Sequence, residues 1–414
     1  MESIKPNKYE KNSTPLWRNH NYLLLQGGQI VSSVGNQQQF IALPLLILAI
    51  TGSALQAGIA VSLNTIAVLV ISPLAGALVD RWDRKWTMLL CDAGRMLLTL
   101  TIPLAFWLHM LSILQIYLVV TTTGVFSTVF SVANTSALPN VVTHEQLPAA
   151  LSQTQIANNC VRTFSSLLGG ALYTIGYVFP FLVNGISFGV SVLSLSFIRG
   201  KFQAAQYDQH EARQPLHKTI SAGFSWLWRQ PLLRFLTLVN GADSLRYGAG
   251  YLVILLIAKE IHTSGNGIGA IFTAAAVGAL IGNFASTWTR QHFRFGSIAI
   301  SMLWLEALMF PLYAIAPNAI VMCFIAAGEE LVSPIYNISL STYRLMATPD
   351  SMRGRMSSTV QMIIQGAQSL GAIAGGILIQ EIGAKRSALV LAAWLLLLAI
   401  ITTLNKRVRQ ASMS

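Results

Sequence analysis

Twelve stretches of this chain are each long and apolar enough to cross a lipid bilayer, and they leave few residues for anything else. They run at roughly 22–50, 55–79, 87–108, 112–136, 148–177, 180–199, 232–258, 266–288, 297–316, 318–343, 357–380 and 386–404. A helix spanning the hydrocarbon core needs about 20 mostly apolar residues. Runs such as LPLLILAI (43–50) and LVLAAWLLLLAIITTL (389–404) lack the alternation of a transmembrane barrel strand, so the fold predicted is an all-α membrane protein. Composition agrees, with 53% hydrophobic and only 10% charged residues, where a soluble domain carries about 25% charged. The first run is longer than the core of a signal peptide, and no small-x-small site closes it. It is expected to stay in the protein as a span.

A net charge of +12 invites a nucleic-acid reading, but in a membrane protein the placement of basic residues matters more than their sum. Twelve spans put both termini on one side. Twenty-one of the 27 Lys and Arg residues fall in the segments of that side. Only Lys259, Lys385 and Arg386 fall opposite. This asymmetry predicts cytoplasmic termini in a plasma membrane and accounts for the basic excess without nucleic acid.

The chain also repeats itself. Gly76, Asp80 and Arg84 close the second run at four-residue intervals, and Gly282, Ser286 and Arg290 close the eighth in the same spacing. The loop segments 137–155 and 344–361 correspond in the same way. The longest hydrophilic stretch between runs, 200–222, separates the two copies. The expected organisation is therefore a six-helix bundle over 1–199, a cytoplasmic linker over 200–222 and a second six-helix bundle over 223–414. Such halves suit alternating access about a site near the midplane. The stretch ISAGFSWLWRQ (220–230) interleaves aromatic and basic residues; it reads either as an interfacial helix or as more linker.

The densest charge lies in GALVDRWDRKWTML (76–89), between the second and third runs. Gly76 is read as allowing close helix approach, with Asp80 one turn further on the same face. Arg81, Arg84 and Lys85 can pin the loop to the membrane surface or bridge to the other bundle, so that contacts made in one state and broken in another form a latch. This stretch resembles the loop-2/3 signature of the major facilitator superfamily, G-x-L-a-D-r-x-G-r-k, and Asp83 in place of the second glycine resembles its drug:proton antiporter-3 branch, which includes macrolide-efflux proteins and siderophore exporters. TGSALQAG (51–58), Asp92-x-x-Arg95, LPNVV with Leu147, and Arg353-Gly-Arg355 also fit that branch. The resemblance implies gating roles for the 80–85 loop, Arg95, Arg353 and Arg355. The chain departs from the pattern in lacking a charge in the fourth run and in having Gly169-Gly170 where drug antiporters carry Gly-Pro.

Ionisable groups inside spans are costly, about 2.5–3.5 kcal/mol each, and mark functional positions. Arg162, Asp243, Arg246, Glu306, Glu329 and Glu330 fall within the runs. Asp243 and Arg246 are spaced to pair within one helix. Glu306 has no partner in its own run; it reads either as a proton carrier or as bonded to a neighbouring helix or to Arg162. Glu329 and Glu330 point about 100° apart, and only one is expected to face a cavity. Arg162 reads as the one cation of the first bundle at this depth, holding an anionic substrate or neutralising a carboxylate across the bundle interface.

Other chemistry finds no support. Cys91, Cys160 and Cys323 stand singly in different runs, the seven histidines show no metal-ligand spacing, and no phosphate-binding loop is present. Gly185-Ile-Ser187-Phe-Gly189 matches a serine-nucleophile pattern but lies within an apolar run, where small residues serve helix packing. No metal, cofactor or enzymatic activity is expected. The function read from the sequence is secondary active export of a small amphipathic compound, macrolide-like, by proton antiport. The alternatives are export of an anionic metabolite or siderophore through Arg162 and Arg246, and a non-transporting receptor or scaffold. The partners expected are a small-molecule substrate, protons and the bilayer, with the chain acting as a monomer.

Overall fold

The computed structural model describes residues 15–79, 82–143, 145–198 and 216–411. Among them the regular structure is entirely helical. The first group comprises α1 (His20–Thr51), α2 (Ala54–Val79), α3 (Arg84–Trp107), α4 (Ile113–Val141), α5 (Leu147–Ile175) and α6 (Phe179–Phe197). After α7 (Leu216–Arg229) come α8 (Pro231–Glu260), α9 (Gly265–His292), α10 (Phe295–Met309), the short α11 (Leu312–Ile315), α12 (Ala319–Met346), α13 (Asp350–Ile382), α14 (Ala384–Leu404) and the short α15 (Lys406–Arg409).

Ten of these segments are long and apolar enough to cross a membrane, with α10 and α11 counted as one. The twelve expected include α5 and α8, which fall short because they carry polar residues at inward positions. Thr163, Ser165 and Ser166 of α5 are buried, as are Asn240, Asp243, Ser244 and Arg246 of α8. The run expected at 297–316 is interrupted at Pro311, which has no N–H to continue the ladder. The two segments read as loops, 137–155 and 344–361, are mostly helix. Arg353 and Arg355 consequently lie on the first turns of α13, not in a loop. Helix α7 covers the 220–230 stretch and begins at Leu216, inside the expected linker.

Local chemistry fixes several ends. Gly52 (φ +67°) closes α1 in the left-handed conformation that glycine adopts without strain. Asp83 caps α3, its carboxylate accepting the Trp86 N–H at 3.0 Å. In this state Asp83, read from the sequence as part of a gate, serves as a helix cap. Replacing it with alanine should cost about 0.5–2 kcal/mol, seen as a lower melting temperature, with transport by the surviving folded protein little changed.

The helices pack as two sets with the same internal pairings. In the first, α1 packs on α5 and α6, α2 on α4, and α3 on α4 and α6. In the second, α8 packs on α13 and α14, α9 on α12, and α10 on α12 and α14. Side-chain bonds repeat too. Arg84 donates to the Ser136 carbonyl (2.7 Å) and Asn140 Oδ1 (2.9 Å), and Arg290 donates to Thr342 Oγ1 (2.9 Å). From 84 to 290 and from 136 to 342 the offset is the same, about 206 residues. The repeat seen in the sequence is thus expressed as a repeated tie between corresponding helices.

The sets are joined at one end only. There a single buried core runs through both, from Ile41, Leu46 and Phe181 to Leu252, Phe310 and Leu395. Gly269 of α9 lies so close to α5 that a Cβ would meet the Ser166 carbonyl oxygen at 2.8 Å, and one on Gly376 of α13 would meet the Ala54 carbonyl oxygen of α2 at 2.8 Å. Ser62 Oγ of α2 donates to the Ser369 carbonyl of α13 at 2.6 Å. At the other end the core splits into separate clusters, one in the first set around Met88 and Phe130 and two in the second, around Phe295 and Tyr336 and around Leu233 and Met356. A Cβ on Gly76 would meet nothing within 4 Å, nor would one on Gly354. The close approach expected at Gly76 is therefore absent here, because the end of α2 stands apart from the start of α13.

Candidate functional site

The split between the sets leads into a cavity of about 540 Å³. Its walls come from both sets: Gln37 and Phe40 of α1, Asn159 of α5, Tyr251 of α8, and Glu329 and Glu330 of α12. Phe40 and Tyr251 pack ring to ring across the sets at 4.8 Å, and the tyrosine hydroxyl donates to the Phe40 carbonyl at 3.1 Å. The expectation that only one of the two adjacent glutamates would face the cavity does not hold, since both contribute to its wall. The wall wraps around α12 far enough to include two positions about 100° apart.

At the wall, one guanidinium gathers three carboxylates. Arg246 donates through Nε (3.2 Å) and Nη2 (3.0 Å) to Asp243 Oδ1, through Nη1 to Glu329 Oε1 (2.6 Å), and through Nη2 to Glu306 Oε2 (3.5 Å). Asp243 is held by helix periodicity, Glu306 is delivered by α10 and Glu329 by α12. All four side chains are nearly or fully buried. The guanidinium also lies 5.2 Å from the Phe310 ring centroid. Four of the six intramembrane ionisable positions read from sequence thus converge on one point, where Glu306 has a partner in Arg246. The backbone of Arg162 lies in α5; its side chain falls outside the described residues.

Such a cluster is electrostatically unbalanced. Among the described side chains one cation faces three acids there, and an unpaired negative charge in a low-dielectric interior costs several kcal/mol.

The expected gate is engaged differently. Arg84 is bonded near the C-terminal end of α4, and Lys85 Nζ donates to the carbonyls of Ser196 (3.3 Å) and Ile198 (2.7 Å) at the end of α6. Helix C-termini carry partial negative charge and attract cations. Both residues accordingly tie the loop to its own set and do not bridge to the other. Arg353 Nε donates to the Leu345 carbonyl, also within its own set. Asp80 and Arg81 lie outside the described residues.

Arg95 is not near the loop. It sits in the middle of α3, buried and bonded to Asp92, with its Cζ 4.5 Å from the ring centroids of both Phe130 and Phe188. The resemblance assigns it to the gate, but its place in the α3 interior makes it an intramembrane cation of the first set. The i,i+3 spacing of opposite charges inside an apolar run was the available signal. Ser187 of the Gly-x-Ser-x-Gly stretch donates to the Asn184 carbonyl within α6. A Cβ on the flanking Gly189 would meet Met96 of α3 at 3.2 Å, so the motif serves packing.

Known proteins place this geometry. The Major Facilitator Superfamily model matches residues 27–245 and 242–412. The multidrug efflux pump Tap of Mycolicibacterium fortuitum is 23% identical over 405 residues, covering 95% of this chain and 97% of its own. The enterobactin exporter EntS of Citrobacter koseri is 26% identical over 318 residues, covering 77% and 75%. Among solved structures, a bacterial homologue of the iron transporter ferroportin in its inward-facing state covers 96% of this chain and 100% of its own at TM-score 0.76 and 16% identity. A bacterial homologue of the iron transporter ferroportin in its outward-facing state covers 92% of this chain and 98% of its own at TM-score 0.57 and 17% identity. With both matched segments together spanning nearly the whole sequence and the fold shared end to end, the chain belongs to the Major Facilitator Superfamily and is a transporter, not an enzyme.

Proposed function

We propose that the protein exports a small, cationic, amphipathic compound by proton antiport, in the manner of the drug:proton antiporter-3 branch. Twelve spans in two six-helix bundles, 1–199 and 223–414 joined by the 200–222 linker, rock about the central cavity with both termini in the cytoplasm. The observation that carries the reading is the Arg246 cluster, in which Glu329 belongs both to the buried ion group and to the cavity wall. A cation entering the cavity competes with protons for the same carboxylates. That competition is what an antiporter requires.

The basic end is the split end, so this state faces the cytoplasm, in keeping with the closer match to the inward-facing neighbour. Contacts of the 80–85 loop, Arg353 and Arg355 across the bundles belong to the opposite state, when the split end closes. Macrolide-like compounds fit the mixture of aromatic, amide and acidic walls. The likeness to an enterobactin exporter supports a second reading, export of an anionic siderophore, with Arg162 as the contact because Arg246 is already outnumbered by acids.

The test is reconstitution in proteoliposomes with an imposed pH gradient, following a fluorescent cationic drug and internal pH together. Drug and proton movement coupled in the wild type and lost in Glu306→Gln supports antiport. Movement of an anionic siderophore that fails on replacing Arg162, with the carboxylates dispensable, selects the second reading.

A further inference from the structure

A second cavity, of about 510 Å³, lies inside the first bundle. Every residue of its wall belongs to α1–α6, and each of those six helices contributes. It meets the central cavity at Gln37, Phe40, Val61 and Thr65, which border both. Helix bundles do not leave such a volume by default, because interiors pack close to crystal density with few voids larger than a water molecule.

Its chemistry differs from that of the central site. Amides and hydroxyls dominate the wall, among them Asn36, Gln37, Asn64, Thr99, Asn158 and Asn184. Among the described side chains no carboxylate lines it, and the one charged wall residue, Arg95, is neutralised by Asp92 and covered on its flat faces by Phe130 and Phe188. Thr99 is fully buried, and its hydroxyl has no hydrogen-bond partner among the described residues. Polar groups held in an interior without partners cost free energy unless something completes them. Each amide offers both donors and acceptors, and each hydroxyl offers both roles. They surround the space from six directions.

We infer that this cavity is a subsite for a neutral, hydroxyl-rich part of the substrate, such as a glycosyl group, with the cationic part in the central cavity beside Glu329 and Glu330. The inference rests on the export reading above and sharpens it: the substrate has two chemically unlike ends. An anionic group gains nothing from Arg95, whose charge Asp92 already balances. An apolar group would leave the buried Thr99 hydroxyl without a partner.

The experiment compares a radiolabelled alkylammonium probe with the same probe carrying one glucosyl group, by equilibrium binding to the protein in nanodiscs free of sugar-headed detergent. The wild type is expected to bind the glucosylated probe about tenfold more tightly, the gain of one or two buried hydrogen bonds. The variants Asn36→Leu and Asn158→Leu remove amides that line the cavity, so their loss spares the fold. They should abolish that preference and bind the unglucosylated probe within about twofold of wild type. Equal affinity for the two probes in the wild type, or equal loss of both in the variants, would overturn the subsite. Failure of the export reading is seen separately, as absence of proton-coupled movement of the unglucosylated probe in proteoliposomes.

Discussion

Replacing Arg246 with leucine abolishes transport and destabilises the protein by about 3–5 kcal/mol, the usual cost of leaving a buried charge without its partner. The reason is the count around it: Asp243, Glu306 and Glu329 all rely on this one guanidinium. Arg246→Lys should recover part of the stability, since one ammonium supplies charge but cannot fork to three acceptors. Adding Asp243→Asn, Glu306→Gln and Glu329→Gln to the leucine variant should restore stability without restoring transport, because the charge imbalance is gone together with the proton-binding groups. Thermal unfolding and vesicle transport on the same preparations separate the two effects. Normal transport by a well-folded Arg246→Leu protein would show that the cluster is only structural.

Gly269→Leu should lock the transporter by a different route. Any side chain there collides with the backbone of α5, with the Ser166 carbonyl oxygen at 2.8 Å and Leu167 Cα at 3.1 Å from an ideal Cβ. The collision exists only while the joined end is closed. A wedge at this point therefore disfavours the present arrangement by shifting the two-state balance toward the other, and transport should fall at least about tenfold. In a background without Cys91, Cys160 and Cys323, a cysteine placed at Thr174 should gain reactivity toward a membrane-impermeant thiol reagent in the wedged protein. Gly376→Leu, opposite Ala54 and Leu55, should act in the same direction. Unchanged labelling with unchanged transport would mean that this end does not open.

Much of the fold is legible in the chain because the bilayer imposes a crude requirement that apolar runs satisfy visibly. The repeat is legible for a further reason: Gly76 and Arg84 recur as Gly282 and Arg290, and the two arginines make equivalent ties to Ser136 and Thr342. The site is only half legible. Individual intramembrane charges announce themselves, but that Glu306 and Glu329 share Arg246 depends on how α8, α10 and α12 cross, over separations of 60 and 83 residues. Asp83 and Lys85 were drawn into a gate by their density, while their bonds serve a helix start and a helix end. Polar residues on α1 are visible in sequence, yet nothing in a linear pattern tells that six helices close around them.

The central claim is that the carboxylates at the cavity wall exchange protons for substrate. It is tested most directly by adding a cationic drug to the purified protein in weakly buffered solution and reading proton release with a pH indicator. The account predicts about one proton released per drug bound at neutral pH, and none from Glu329→Gln that still binds the drug. Stoichiometric drug binding by the wild type with no proton released, or with release unaltered in Glu329→Gln, would contradict it.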